Sequence, residues 1–198
     1  MLRDIIDQAE RRTIALDDGA RELFEPYADS APMRAVGLAS KLGDQPELRT
    51  IAGAMLVAGI AVDSDRLVRA GARMLIAHEA ATFVKDRLKT EIDRPRPRSA
   101  AGKAAKPRKG KHTAKEMTSF PSGHSAGAIA AARAFSREYP EYSSFALGTA
   151  GLIAALQVPR CAHYPSDVAA GLAIGLAVES ATNALWNAAR MDDRSRGD

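Results

Sequence analysis

Helical periodicity, interrupted by prolines, is the feature that most constrains this chain. Apolar residues recur at intervals of three and four in nearly every segment, whereas no segment combines apolar–polar alternation with the β-branched residues typical of strands. Prolines and glycines divide the pattern into lengths of one helix each. The sequence therefore predicts an all-α fold, a single helical bundle of about six to seven helices.

The segments between these breaks give the expected helices and their grouping. Because 198 residues with 46% hydrophobic composition can bury one sizeable core, a single domain over 1–198 is predicted. Within it, 1–44 forms N-terminal helices, 45–185 the helical core and 186–198 a C-terminal tail, of which the polar residues 191–198 are expected to be frayed. The expected helices are Leu2 to about Phe24, Met33–Leu42, Leu48–Val62, Asp65–Thr90, Ser122–Tyr139, Tyr142–Val158 and Ser166 to about Arg190.

Three uncharged segments raise the question of a membrane. They cover 50–62, 142–159 and 168–178, with 13, 18 and 11 residues, and a spanning helix needs about 20 apolar residues. Their many alanines and glycines fit tightly packed core helices about as well. The first 23 residues carry acids and bases every few positions and so lack the apolar core of a secretory signal. The sequence slightly favours a membrane-associated or integral membrane protein over a soluble one.

The segment 94–115 concentrates positive charge. It contains nine Lys or Arg residues, three prolines, two glycines and no acid, which predicts a loop. Such a run is either simply solvated, or it attracts phosphorylated substrates or an anionic membrane surface. A nucleic-acid partner is disfavoured because no aromatic residue is interleaved for base stacking. Cys161 is the only cysteine, which excludes an internal disulfide and a thiolate metal cluster.

Lys89 and Arg96 form the first of three candidate clusters. A helix is expected to end near Lys89, and Arg96 follows in a proline-stiffened turn, next to Pro97. An ammonium and a guanidinium so placed can hold the non-bridging oxygens of a phosphate. Alternatively, Lys89 only favours a helix C-terminus and the Arg-Pro pairs only end the helix. Arg94 and Arg98 would shape the electrostatic field at the rim of such a pocket.

The second cluster is the tetrapeptide Pro121–His124. Ser122 suits the N-cap of the following apolar helix, which leaves the N–H groups of Gly123 and His124 unpaired at the positive end of the helix dipole. Such a helix end binds phosphate readily, and His124 could then donate a proton to a leaving alkoxide. The alternative is an ordinary capped helix with a surface histidine.

The third cluster is His163 with Asp167, which lie four residues apart at the start of the last helix. The Asp167 carboxylate can accept from one ring nitrogen of His163 and leave the other as a nucleophile. The alternative is that Ser166 and Asp167 only cap the helix and His163 is incidental.

In this order, the three clusters resemble the signature of the type 2 phosphatidic acid phosphatase and vanadium haloperoxidase superfamily. That signature is a lysine, six residues, Arg-Pro; then Pro-Ser-Gly-His; then Ser-Arg, five residues, His, three residues, Asp. The first two parts match completely, and His163 and Asp167 match the end of the third. The resemblance covers about residues 45 to 185.

The resemblance implies an all-helical core, a phosphohistidine intermediate, no metal and no other cofactor. It implies that His163 is the nucleophile, that Asp167 orients it and that His124 protonates the leaving oxygen. The phosphate would be held by Lys89, Arg96, Ser122 and the Gly123 amide.

One departure concerns Gln157, which stands where the signature has arginine and follows Leu156 instead of serine. The nearest arginine is Arg160, three residues on, and a long side chain there could reach the same phosphate oxygens if the helix continued. Pro159 opposes that continuation. Losing a charged contact to the phosphate typically costs a few kcal/mol of transition-state stabilisation, so the departure bears directly on activity.

The favoured function is hydrolysis of a phosphomonoester or pyrophosphate, of a lipid or polyprenyl compound, without a metal. The alternatives are a soluble acid phosphatase of small organic phosphates, a vanadate-dependent haloperoxidase, and a catalytically impaired module. Such a module would bind anionic lipid or nucleic acid through the basic segment 94–115. The sequence indicates no oligomeric state.

Overall fold

The structure, a computed structural model, describes residues 1–100 and 104–196. Within these ranges it contains seven α-helices and a sheet of two short antiparallel strands, so the all-α prediction is confirmed. The helices are α1 Leu2–Phe24, α2 Ala31–Ala39, α3 Gln45–Ala61, α4 Asp65–Lys89, α5 Gly123–Glu138, α6 Ser143–Ala155 and α7 Pro165–Arg196, and the strands are β1 Ile92–Asp93 and β2 Arg108–Lys109.

Serine side chains cap three of the helices. Ser30, Ser64 and Ser122 each accept a hydrogen bond from the backbone N–H three residues on, at 3.4 Å. Each bond satisfies one of the amides that a helix start leaves unpaired. Proline fits the first turn of α2, α3 and α7 because that position needs no amide proton.

Helix α4 lies at the centre of the bundle and packs against α3, α5 and α7, while α5 also packs against α6 and α7. The core consists largely of alanines, among them Ala52, Ala70 and Ala130, which are almost inaccessible. At the crossing of α3 and α4, a Cβ added to Gly71 would lie 2.6 Å from the Leu56 backbone nitrogen. Small residues therefore let the helix backbones approach closely, which compensates for the small area that each alanine buries.

Two features differ from the sequence-based expectation. Strands β1 and β2 pair antiparallel across the basic segment, and two residues are too few to show an alternating pattern. Helix α7 continues to Arg196, so residues 191–196 are helical where fraying was expected, and residues 197–198 of that tail lie outside the described residues. The helix continues because neither proline nor glycine occurs between 176 and 196. Residues 101–103 of the basic segment also lie outside the described residues.

Several helices expose apolar side chains. Among the described residues, one helix, Pro165–Arg190, is long and apolar enough to cross a membrane. Its most apolar stretch has a mean hydropathy of 1.4, and 22% of that stretch is buried. Val57, Phe83 and Phe145 are also more than half exposed. By length and composition, the fold is therefore compatible with membrane association.

Candidate active site

The three sequence clusters meet in one cavity of about 390 Å³. The end of α4, the start of α5 and the turn before α7 bring their side chains together, along with residues from the turn before α3. The cavity is lined by five of the expected residues, Lys89, Arg96, Gly123, His124 and His163.

His163 is buried and has a defined orientation. Its Nδ1–H donates to the Ser119 carbonyl oxygen at 2.7 Å, so Nε2 is left as the nitrogen with a free lone pair. The pKa of His163 is lowered to about 4, mainly by burial. The Asp167 carboxylate opposes this shift, whereas the nearby Arg96 and Lys89 charges add to it. The ring is therefore neutral at pH 7, which is the form that can act as a nucleophile.

Asp167 does not contact His163 in the expected way. Its Oδ2 lies 3.8 Å from His163 Nδ1, beyond hydrogen-bond distance, and accepts instead from the Ser119 hydroxyl at 2.6 Å and the Tyr164 backbone N–H at 3.0 Å. Because the Ser119 carbonyl holds the histidine, Asp167 is connected to His163 through Ser119. Burial works to raise the pKa of Asp167, but the proton donors around it and the positive charge of Arg94 outweigh burial and hold that pKa below its usual value.

Arg94 lies in the interior and not at the pocket rim where the sequence placed it. Its side chain is 1% exposed and forms ion pairs with Asp167 and with Asp17 of α1. Its Nε donates to the Ala105 carbonyl oxygen, and its guanidinium stacks 4.1 Å from the centre of the Tyr164 ring. Arg94 thus balances the charge of Asp167 and connects the N-terminal helix to the site. The rim expectation failed because the sequence offered no sign of this acidic partner in α1.

Lys89 and Arg96 are both held by backbone carbonyl groups. Lys89 Nζ donates to the Thr118 carbonyl, and Arg96 donates to those of Lys115 at 2.9 Å and Ala162 at 3.2 Å. Neither forms an ion pair with a carboxylate of the described residues. Burial, together with the Arg96 charge, lowers the pKa of Lys89 to about 7. Both side chains are therefore fixed in place, and Arg96 and the protonated form of Lys89 are available to an anionic ligand.

Ser122 and Gly123 play different parts at the start of α5. The buried Ser122 hydroxyl accepts from Ser125 Oγ at 2.8 Å, and its backbone N–H donates to the Asp167 carbonyl oxygen at 3.0 Å. Ser122 therefore fixes the helix end, and Gly123 faces the cavity with a first-turn amide that has no partner within the helix. A Cβ on Gly123 would lie 2.9 Å from Lys85 Cδ, so glycine leaves room for that lysine.

His124 faces His163 across the cavity and has a carboxylate partner that the sequence did not indicate. This partner is Asp44, the residue just before α3. Its Oδ1 lies 2.6 Å from His124 Nε2. Burial lowers the pKa of His124, and the Asp44 charge opposes that shift. The pair resembles the base-and-orienter arrangement of catalytic triads. In the described part of the chain, no three His, Cys, Asp or Glu side chains converge as they would on a metal ion.

Gln157 and Arg160 do not restore the missing arginine in this cavity. Gln157 is buried, donates to the Ile153 carbonyl oxygen at 2.9 Å and accepts from Arg160 Nη1 at 3.2 Å. Arg160 also donates to the Ser40 hydroxyl and lines a neighbouring cavity. The expectation that Arg160 holds the same phosphate oxygens therefore has no support in its position.

Lys41 and Lys85 are cations in the His163 cavity that sequence reasoning missed. Lys85 was detectable, because it lies one helical turn before Lys89 and shares its face. Lys41 lies in the short turn Ser40–Gly43, and no motif marked it. They add positive charge to the lining of the cavity, and Lys85 also forms an ion pair with Asp86 at 2.6 Å.

Comparison with known proteins agrees with this arrangement. The model of the PAP2 superfamily matches residues 70–191, more than half of the chain and the whole of the three clusters. The chain belongs to the PAP2 superfamily. It is also similar to the crystal structure of Aquifex aeolicus LpxE, with a TM-score of 0.59 and 21% sequence identity over 80% of this chain and 89% of that one, a likeness that concerns the fold. No curated protein sequence matches the chain.

Proposed function

We propose that this PAP2 protein is a metal-independent phosphatase that hydrolyses a phosphomonoester or diphosphate of a lipid-type compound through a phosphohistidine at His163. The observation that carries the proposal is the arrangement around His163. A buried, neutral imidazole with its Nε2 free shares one cavity with the charges of Lys89 and Arg96 and with the His124–Asp44 pair.

The first step forms a bond between His163 Nε2 and phosphorus and breaks the bond from phosphorus to the leaving oxygen. Lys89, Arg96 and the Gly123 amide hold the non-bridging oxygens, where negative charge is greatest in the transition state. His124 gives its proton to the leaving oxygen, so the product is a neutral alcohol. The arriving phosphate dianion raises the pKa of His124, which offsets the effect of burial.

The second step releases phosphate. Water attacks phosphorus as His124 accepts a proton from it, and the bond to His163 Nε2 breaks with return of its electron pair to the ring. Both histidines then have their starting protonation, which microscopic reversibility of acid and base roles requires. Ser119 keeps the Nδ1 proton in place throughout, so the same ring nitrogen reacts in every turnover.

An apolar groove of about 400 Å³ beside His124 supports a lipid-type leaving group. Gly43 lies between the two sites, because a Cβ added to it would meet both His124 and Ile153, which lines the groove. The groove is formed by apolar residues of α3, α5 and α6, including Phe135 and Phe145. A hydrocarbon chain attached to the leaving oxygen would lie there, and the exposed apolar helix faces support a site at a membrane surface.

The test is phosphate release from a short-chain phosphatidic acid and from p-nitrophenyl phosphate, with chelator present. We expect activity that His163→Ala abolishes and that the exposed His112→Ala retains. Brief reaction with phosphorus-labelled substrate should leave acid-labile, base-stable label on the protein, and that label should be absent in His163→Ala. Activity that needs an added metal, or that survives His163→Ala, would refute the proposal.

A further inference from the structure

A second cavity, of about 580 Å³, adjoins the His163 cavity and is strongly basic. It lies between α2, the turn after β1 and the turn that precedes α7. Asp29 and Glu116 are its only acids. Its cations are Arg34, Lys41, Arg96, Arg98, Lys115 and Arg160.

Most of these cations have no carboxylate partner among the described residues. Arg98 alone forms an ion pair, with Asp29 at 3.1 Å. Arg34 donates to a backbone carbonyl at 2.6 Å, and Arg160 donates to the hydroxyl of Ser40 and the amide oxygen of Gln157. Neutral acceptors fix these guanidinium groups without cancelling their charge, so the cavity keeps a positive potential.

The concentration of like charge is unfavourable unless an anion enters. Burial lowers the pKa of Arg160, the Asp44 charge opposes that shift and the Arg98 charge adds to it. Burial also lowers the pKa of Arg96; the charges of Asp167 and Glu116 oppose that shift, and the Arg160 charge adds to it. Each shift means that the charged guanidinium is less stable in the folded protein than it is in water. A bound anion would offset this loss of stability and accept several charge-assisted hydrogen bonds from guanidinium groups.

The two cavities share two of their positively charged residues. Lys41 and Arg96 line both, so Arg96 lies between the position of the scissile phosphate and the second cavity. Ligand sites of a few hundred Å³ hold groups much larger than one phosphate, so the second cavity has room for a phosphate and the atoms that link it to the first.

We propose that the substrate carries a second phosphate or similarly charged anionic group, which binds in the basic cavity while the scissile phosphate lies at His163. The inference rests on the proposed function and specifies its substrate class, an amphiphile with two anionic groups. Binding of the second group positions the first, so it increases kcat/KM. The same cavity chemistry would accept free inorganic phosphate, and the experiment separates the two sources.

The kinetic test compares alkyl monophosphates with alkanediol bisphosphates over a series of chain lengths. We expect a bisphosphate of suitable length to be preferred. Arg34→Gln and Lys115→Gln should each reduce that preference about tenfold, a change of about 1.4 kcal/mol. Arg108 and Lys109 are exposed cations of the basic segment 94–115 that lie outside the cavity, so they serve as controls. Arg108→Gln and Lys109→Gln should leave the preference as it is. No preference at any length, or equal losses for both substrate types, would overturn the proposal.

Calorimetry with His163→Ala separates this proposal from the proposed function. Tighter binding of the bisphosphate than of the monophosphate, reduced by Arg34→Gln, would support the second site even if no substrate is hydrolysed. Equal binding of both, with an additional equivalent of inorganic phosphate that Arg34→Gln removes, would assign the cavity to a free anion and refute the proposal. Circular dichroism of each variant checks that its helical fold is retained.

Discussion

Arg94 Nη2 donates to Asp17 Oδ2 across 2.6 Å, and this ion pair joins the N-terminal helix to the residues around His163. The same guanidinium contacts Asp167, whose other oxygen accepts from Ser119, and Ser119 in turn holds His163. Asp17 also accepts from the Ser166 backbone N–H at 3.0 Å. A helix outside the matched family region is thus connected to His163, the proposed nucleophile.

Asp17→Asn should therefore reduce activity although Asp17 is remote from the phosphate. The substitution leaves Arg94 with only one carboxylate partner and weakens the positioning of Asp167 and Ser119. We expect kcat to fall by about tenfold to a hundredfold, as is typical when a supporting partner of a site residue is lost. Affinity for inorganic phosphate should change far less. The measurement is steady-state kinetics together with phosphate inhibition, with the exposed Asp7→Asn of the same helix as the control.

Phosphate affinity should depend on pH through Lys89. Its pKa of about 7 in the free protein means that the ammonium loses its proton as pH rises through neutrality. Once the rising fraction of phosphate dianion is corrected for, inhibition by the dianion should therefore weaken from pH 6 to pH 8. Lys89→Arg should remove that weakening, since a guanidinium stays charged over this range. An unchanged pH profile in Lys89→Arg would mean that another group controls binding.

The sequence predicted the fold and five of the residues that line the His163 cavity, because both depend on local signals. Helix α1 has the predicted bounds, and α4 ends within one residue of the expectation, because proline and cap positions act over only a few residues. The side chains that line the cavity from Lys89 to His163 were found because each belongs to a short motif. These motifs report chemistry even where their contacts are not yet known.

The contacts that the sequence missed join residues far apart in the chain. Asp17 pairs with Arg94 and Asp44 with His124, and neither acid belongs to a motif. The link between Asp167 and His163 was misjudged for a related reason. Their spacing of four residues allowed a direct hydrogen bond, but the Ser119 carbonyl approaches the ring from a different segment and accepts the hydrogen bond from Nδ1–H.

Asp44→Asn should affect substrates according to their leaving groups. The asparagine keeps the size of the side chain and remains a good N-cap for α3, but it loses the charge that supports protonated His124. We expect kcat/KM for an alkyl phosphate to fall about a hundredfold, within the range of general acid catalysis. The loss for p-nitrophenyl phosphate should be much smaller, because p-nitrophenolate needs little protonation. Equal losses for both substrates would mean that His124 does not protonate the leaving oxygen.

Gly175→Ala should destabilise the contact between α5 and α7, the two helices that carry His124 and Asp167. A Cβ at Gly175 would approach the Ala126 carbonyl oxygen more closely than side chains tolerate, and a helix backbone cannot move aside locally. Such overpacking costs about 1–3 kcal/mol, which exceeds the helix propensity of about 0.5–1 kcal/mol that alanine gains over glycine. Gly151→Ala in α6 is the matched control, since nothing lies within 4 Å of a Cβ there. Only the gain in helix propensity should remain at that position. Thermal unfolding should therefore shift down for Gly175→Ala and stay level or rise for Gly151→Ala. A downward shift of similar size in both would mean that the close approach of α5 and α7 does not limit the stability of the bundle.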